Sequence, residues 1–193
     1  MKRWLGMILA AALGIAVAVV CFTSVQIITV VGNGMLPSYE EGDMLLVNKI
    51  AYGGGLGASS ISSTSGTSST SRDSGTTSTS GGPRKGDVVV FPAKIYSADG
   101  EGRFLVKRVV ATAGDRVAIG KGIVVVNDSP LEEPYIFAKG VGGDMKEATV
   151  KPGCVFVLGD NRGASLDSRN ETVGQVKNEE ITGRVVCRLW PWR

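Results

Sequence analysis

The sequence contains no histidine among its 193 residues. This absence excludes the Ser-His-Asp and Cys-His catalytic arrangements and the common zinc sites. Any nucleophilic or acid–base chemistry must therefore use Lys, Asp, Glu, Tyr, Ser or Cys side chains. The net charge is only +3, and the Lys and Arg residues are scattered along the chain, so we expect no nucleic-acid partner.

Cysteine is also scarce. Three cysteines are too few for a disulfide framework. Cys21 lies inside an apolar run, and Cys154 and Cys187 lie in strand-like sequence. We expect buried free thiols, and a Cys154–Cys187 disulfide is the alternative.

A long apolar run covers residues 4–22, directly after Lys2 and Arg3. A membrane-spanning helix needs about 20 apolar residues, so this length predicts a transmembrane anchor. A cleaved signal peptide is the alternative, although its apolar region is usually about 7–15 residues long. The positive-inside rule then places a tip of residues 1–3 in the cytoplasm and residues 23–193 on the extracytoplasmic face of the cell membrane.

Sequence typical of β-strands follows the predicted anchor, and no stretch there keeps a 3.6-residue apolar period. Short segments rich in β-branched residues are separated by Gly, Asn, Asp and Pro turn signals. These segments are "VQIITVV", "DMLLVNKIAY", "DVVVFPA", "RFLVKRVVA", "DRVAIGKGIVVVN", "CVFVLGD" and "ITGRVVCRLW". The pattern predicts a mainly β protein, in which one transmembrane helix precedes an all-β domain of Greek-key or barrel-like sheets.

Residues 53–82 differ in composition, because Gly, Ser and Thr occupy 25 of these 30 positions. Such a segment cannot bury enough apolar surface to offset its ordering entropy. We expect a disordered loop inserted between two strands of one domain.

A lysine lies within the strand-like segment "RFLVKRVVA". Side chains alternate across a strand, so Lys107 shares a face with Leu105, Val109 and Ala111. Burial on that face would lower the pKa of its amine and allow it to act as a general base. In the alternative, Lys107 lies at a sheet edge and extends its amine to water.

The polar stretch "LGDNRGASLDSRN" directly follows the apolar "CVFV". Its residue types are those of an ordinary turn. It also contains two Asp-x-Arg spacings, Asp160 with Arg162 and Asp167 with Arg169, that could hold a loop rigid through ion pairs. Its two serines, Ser165 and Ser168, carry hydroxyls that could orient a neighbouring amine.

Taken together and in order, these segments resemble the type I signal peptidases, which are membrane-anchored Ser-Lys endopeptidases. "VVGNGMLPSYEEGD" is similar to the nucleophile box of that family, roughly Gly-x-Ser-Met-x-Pro-Thr. "FLVKRVVATAGDRV" resembles the box of the general-base lysine, and "VFVLGDNRGASLDSRN" the Gly-Asp-Asn-Arg box. "GDVVVF" and "ITGRVVCRLWPW" fit as well, so the resemblance covers nearly the whole chain outside residues 53–82.

The resemblance implies a role for each matching residue. Lys107 would be the general base, Ser165 would hydrogen-bond its amine and orient it, and the backbone N–H at residue 34 would meet the oxyanion. The implied ion-pair scaffold is Arg108, Asp160, Asp167 and Arg169, and the residues implied to shape the cleft are Met35 and Pro37. The implied partners are the lipid bilayer and preprotein signal peptides with small residues at −1 and −3, and no metal or cofactor is implied.

One residue departs from the family pattern, because Gly34 stands where the nucleophilic serine belongs. Ser38 falls at the threonine position of the box, and Pro37 redirects the backbone between them, so Ser38 is a poor replacement. We therefore expect signal-peptide cleavage to be absent or severely impaired. The alternatives are a non-catalytic signal-peptide-binding or surface-assembly factor, and slow hydrolysis by a water that Lys107 activates.

Overall fold

A computed structural model describes residue 14 and residues 23–52, 81–96, 102–136, 138 and 142–191. The predicted tip at 1–3, the predicted anchor at 4–22 apart from Gly14, and residues 53–80 of the predicted loop lie outside these residues. Within the described ranges, no helix is long and apolar enough to cross a membrane.

The regular secondary structure of the described residues is almost entirely β-strand, which confirms the prediction of a mainly β protein. Their eleven strands are β1 (Val25–Thr29), β2 (Met44–Asn48), β3 (Val88–Tyr96), β4 (Gly102–Thr112), β5 (Arg116–Gly120), β6 (Ile123–Val126), β7 (Ser129–Pro130), β8 (Met145–Thr149), β9 (Cys154–Leu158), β10 (Val176–Lys177) and β11 (Gly183–Trp190). A single 3-10 turn at Asn178–Glu180 precedes β11.

A seven-stranded antiparallel sheet has the strand order β1-β2-β11-β3-β4-β9-β10. The last strand of the chain, β11, lies between β2 and β3. Residues 49–87 therefore connect two strands of one sheet, and residues 53–82 belong to that connection.

A smaller antiparallel sheet has the order β7-β6-β5-β8. The segment "DRVAIGKGIVVVN", which reads as one strand-like stretch, forms the β5–β6 hairpin of this sheet. Its turn residues, Lys121 and Gly122, have φ angles of 52° and 71°. Positive φ at both central residues matches the twist of a two-residue hairpin turn, and this explains why the stretch reverses there.

The hydrophobic core joins the two sheets. Val117 and Val124 from the smaller sheet pack with Val110, Phe156 and Leu158 from the larger one, and all five are buried. The buried residues alternate along β5 and β6, so one face of each of these strands enters the core. In β9 four consecutive residues are buried, because both of its faces are covered.

The two cysteines among the described residues, Cys154 and Cys187, are free thiols, and Cys21 lies outside the described residues. Cys154 is half-buried, and the expectation of burial is wrong for Cys187, which is exposed. A register shift in β11 between Val185 and Cys187 interrupts the alternation, because a bulge inserts an extra residue. Val185 is buried on one side of this shift, and Val186 and Cys187 both face solvent.

Candidate active site

Lys107 lies in β4, at the register position opposite Val89 of β3. Only 5% of its surface is exposed, which favours the buried interpretation over a lysine that reaches water. Its Nζ donates a hydrogen bond to the Val106 carbonyl over 3.0 Å. Burial lowers the pKa of the amine, against the charges of Asp167 and Asp160, which raise it.

Gly34 lies in the loop after β1, directly beside this amine. A Cβ built on Gly34 would lie 3.0 Å from Lys107 Nζ and 3.5 Å from the carbonyl oxygen of Ala164. The backbone of Gly34 is outside the left-handed region, so an L side chain fits there without backbone strain. A side chain at position 34 would therefore point at the lysine amine.

The loop after β9 holds the Gly34 loop in place. The backbone N–H of Asn161 donates to the Gly34 carbonyl over 3.1 Å, and Asn161 Nδ2 donates to the Asn33 carbonyl over 3.0 Å. The two sequence boxes are thus joined by hydrogen bonds on either side of residue 34.

Met35 and Pro37, which the resemblance places in the cleft, have different environments. The Met35 side chain is only 2% exposed and packs in the core with Ile28 and Val30. Met35 thus packs beneath the loop that carries Gly34, and its role in shaping the cleft stays a prediction. Pro37 is exposed.

Ser165 lies near both Gly34 and Lys107, since its Cα is 3.6 Å from the Cβ position of residue 34. Its Oγ is buried and has no hydrogen-bond partner among the described residues. The hydrogen bond to Lys107 that the resemblance implies is therefore absent from the described residues, and the amine donates instead to the Val106 carbonyl. Ser165 Oγ lies against Gly159, at the place where a Cβ on that glycine would be.

Arg108 forms the first ion pair of the predicted scaffold. Its Nε and Nη2 donate to the two carboxylate oxygens of the fully buried Asp160, over 2.9 and 2.6 Å. Ser38 Oγ donates to the same carboxylate over 2.5 Å and accepts a bond from Arg108 Nη2 over 3.3 Å. Ser38 is thus part of the scaffold, and its hydroxyl is engaged away from Lys107.

Asp167 and Arg169 form the second ion pair, as their spacing predicts. Arg169 Nε and Nη2 donate to the Asp167 carboxylate over 2.8 Å each. The buried carboxylate also accepts the Gly159 N–H over 3.0 Å. The ion pair therefore connects Asp167 and Arg169, near the end of the loop after β9, to Gly159 at its beginning.

The predicted pairing of Asp160 with Arg162 is wrong. Arg162 turns away from Asp160 and forms a buried ion pair with Glu133, with Nη1 donating to Oε2 over 2.9 Å. Tyr135, two residues further, donates its hydroxyl to Glu133 over 3.2 Å. Sequence reasoning missed Glu133 and Tyr135, because "LEEPY" contains two adjacent glutamates and nothing in it indicates which one is buried.

The described residues contain no group of three or more Cys, Asp or Glu side chains arranged to hold a metal ion. The site brings together one buried amine, three ion pairs and the backbone around residue 34. This arrangement can supply a neutral base and a fixed position for a neighbouring hydroxyl. It contains no side-chain hydroxyl at residue 34 itself.

Comparison with known proteins gives consistent matches. The family model described as "Signal peptidase, peptidase S26" matches residues 1–190. The chain is similar to signal peptidase I of Bacillus caldolyticus, with 33% identity over 84% of this chain and 78% of that protein. It is also similar to a probable signal peptidase I-1 of Synechocystis, with 30% identity over 82% of this chain and 68% of that protein. A solved signal peptidase I from Enterococcus faecalis matches at 26% identity and a TM-score of 0.45, over 54% of this chain and 97% of that one.

Proposed function

The chain belongs to the signal peptidase family, peptidase S26, and from this membership we propose that its site binds the signal peptides of exported preproteins. We propose further that it retains the general base of a Ser-Lys peptidase and lacks the nucleophile. Cleavage of bound signal peptides is then absent or severely impaired in the chain as it stands.

The observation that carries this proposal is that a side chain at residue 34 would point towards the Lys107 amine. A Cβ there would lie 3.0 Å from Lys107 Nζ, so a serine hydroxyl at this position would come within hydrogen-bond reach of a buried amine whose pKa is lowered. A neutral lysine can accept the hydroxyl proton, and the oxygen can then attack the scissile carbonyl. Gly34 offers the amine no hydroxyl, and Ser38 is held by Asp160.

The proposed catalytic roles are those of Lys107 as base, the Gly34 backbone N–H as oxyanion donor and Ser165 as a residue that orients the lysine. In this scheme Arg108, Asp160, Asp167 and Arg169 keep the loop after β9 rigid. The two bidentate ion pairs support this assignment, because they fix the turn whose Asn161 N–H donates to the Gly34 carbonyl.

The test is cleavage of a preprotein with an Ala-x-Ala site by the Gly34→Ser variant, compared with the unchanged chain. Because removal of a nucleophilic serine costs on the order of a millionfold in turnover in another serine protease, we expect a gain of several orders of magnitude. Gly34→Ala is the matched control, since it adds the Cβ without the hydroxyl, and it is expected to stay inactive. Gly34→Ser combined with Lys107→Met is expected to lose the gain.

Two results would redirect the assignment. If Gly34→Ser binds signal peptides without cutting them, the second candidate is favoured, a non-catalytic signal-peptide-binding or surface-assembly factor. If the unchanged chain cleaves slowly and Lys107→Met abolishes that cleavage, Lys107 activates water directly.

The proposed location is the cell membrane, with the β-domain on the extracytoplasmic face. The apolar run of residues 4–22 and the charges of Lys2 and Arg3 support this topology. Protease added outside intact cells should digest the β-domain. Protection of the β-domain until the cells are lysed would contradict the topology.

A further inference from the structure

A buried ion pair links the smaller sheet to the candidate active site. Glu133 lies in the segment after β7, and Arg162 lies in the loop after β9. Their side chains are only 5% and 3% exposed. Such a pair is weak evidence for added stability, because desolvation offsets much of the attraction, but it fixes the geometry of both partners.

Arg162 transmits this geometry to the turn of the site. Besides contacting Glu133, its Nε donates to the Gly159 carbonyl over 3.0 Å. The next residues of the same turn approach the reacting position, with the Asn161 N–H donating to the Gly34 carbonyl over 3.1 Å. The carbonyl of Ala164 lies 3.5 Å from the Cβ position of residue 34.

Tyr135 makes a second contact from the same segment. Its hydroxyl donates to Glu133 Oε1 over 3.2 Å, and its ring lies under the guanidinium of Arg108 at 4.1 Å from the ring centroid. Arg108 in turn binds Asp160. The segment after β7 thus contacts the turn of the site through Arg162 and the neighbour of the lysine through Arg108.

We propose that Glu133 is a positioning residue of the peptidase site: through Arg162 it holds the 159–165 turn against Gly34 and keeps water from the Lys107 amine. This inference rests on the proposed function for its catalytic consequence. It assigns to the segment after β7 the role of fixing the distance between residue 34 and the turn.

Glu133 affects the pKa of Lys107 indirectly, by setting the position of the turn and thereby the access of water to the amine. The charged groups that face the lysine are Asp160, Asp167 and Arg169, and burial is the main cause of its lowered pKa. Loss of the Glu133 charge leaves Arg162 as an unpaired buried cation, which turns towards water and draws the turn with it. Water then reaches Lys107, and its pKa rises towards the ordinary value.

The experiment compares Glu133→Gln with Glu132→Gln, both in the Gly34→Ser background. Glu132 is the exposed neighbour of Glu133 and serves as the matched control. We expect Glu133→Gln to lower kcat roughly 10- to 100-fold with KM nearly unchanged, because a small displacement of reacting groups has that effect. The acidic limb of the pH profile should move to higher pH, and Glu132→Gln should change neither quantity.

A second readout does not depend on cleavage. The pKa of Lys107 is measured in the Gly34 chain from the pH dependence of amine modification at that residue, followed by mass spectrometry. Glu133→Gln should shift this titration to higher pH at a temperature where the variant is folded. If Gly34→Ser never cleaves, the proposed function fails, and this titration still decides the role of Glu133.

A purely structural role predicts a different result. Glu133→Gln would then lower the thermal midpoint but leave kcat, the pH profile and the Lys107 titration of the folded protein unchanged, and this outcome overturns the proposal. If Glu133→Gln does not fold, Tyr135→Phe is measured in its place, since it removes one hydrogen bond to Glu133 and keeps the ring. We expect a smaller shift of the Lys107 titration in the same direction, and no shift overturns the proposal.

Discussion

At the scale of single residues, the buried Lys107 affects both the chemistry of the site and the stability of the fold. Lys107 lies in the middle of β4, an interior strand of the larger sheet, at the register position opposite Val89 of β3. Its amine has one backbone hydrogen bond, and the nearby charges of Asp167 and Asp160 offset the burial only in part, so the charged form is unfavourable. The same burial that suits a base thus destabilises the fold at neutral pH.

This cost makes a prediction for the pH dependence of stability. The pKa of Lys107 is lower in the folded state than its ordinary value of 10.5, so between the two values the unfolded chain binds more protons. The free energy of unfolding therefore rises with pH across this window and is reduced below it. Lys107→Met removes the effect and should raise the free energy of unfolding at pH 7, by an amount that shrinks as the pH approaches 10.5.

Urea unfolding at pH 7 and at pH 10 measures this difference. Lys151→Met is the matched control. Because Lys151 is exposed, the free energy of unfolding of this variant should differ little from that of the parent at both pH values. Equal stability of the Lys107→Met variant and the parent at pH 7 would contradict the prediction.

At the scale of structural elements, the site depends on how the loop after β9 fits against the loop after β1. Gly159 is the point of closest approach. A Cβ at this position would overlap both Ser165 Oγ and the Gly34 carbonyl oxygen. The second of these is a backbone atom held by Asn161, so it cannot move aside without displacing the loop.

Gly159→Ala is therefore expected to separate the two loops. Overpacking of this kind typically costs about 1–3 kcal/mol, so the free energy of unfolding should fall by that amount. Gly120→Ala is the control, because nothing lies within 4 Å of a Cβ built there and its φ is not positive. Urea denaturation of both variants tests the prediction. If the two variants lose the same free energy of unfolding, the neighbours of Gly159 accommodate the added Cβ without cost and the prediction is wrong.

At the scale of the whole molecule, strands β2 and β3 of the seven-stranded sheet are joined by the long connection of residues 49–87. The two flanks of residues 53–82 meet at one side chain: Tyr52 donates its hydroxyl to Asp87 over 2.7 Å, and the Arg84 N–H donates to the same carboxylate oxygen over 2.9 Å. A much shorter connection could therefore join these flanks.

Replacement of residues 55–80 by a four-residue Gly-Ser linker should leave the fold intact. Each halving of a flexible loop recovers about 0.6 kcal/mol of closure entropy, so we expect a gain of about 1 kcal/mol. This corresponds to a rise of a few degrees in the thermal midpoint, measured by calorimetry. Loss of a cooperative transition in the shortened chain would show that the segment is required for folding.

Much of this architecture could be predicted from local sequence. The alternation of β-branched residues predicted the positions of β1, β2, β3, β4, β9 and β11, and the lysine on the face of Val109 is buried as that pattern allows. The short strands β7, β8 and β10 were not predicted. They contain two to five residues with little apolar alternation, and they exist because a neighbouring strand offers hydrogen bonds.

The sequence by itself determined the order of the boxes, the absence of histidine and the glycine at position 34, because each of these is a property of residue type and local spacing. Only the tertiary structure decided the partners of the charged groups. Ser38 donates a hydrogen bond to Asp160, which is 122 positions away in the sequence. Arg162 forms its ion pair with Glu133, 29 positions away, although Asp160 is only two positions away. The roles of the site residues stay predictions for the experiments above. The physical reason for the division is that hydrogen bonds and ion pairs depend on distance in space, and folding brings together groups whose separation along the chain carries no sign of the contact.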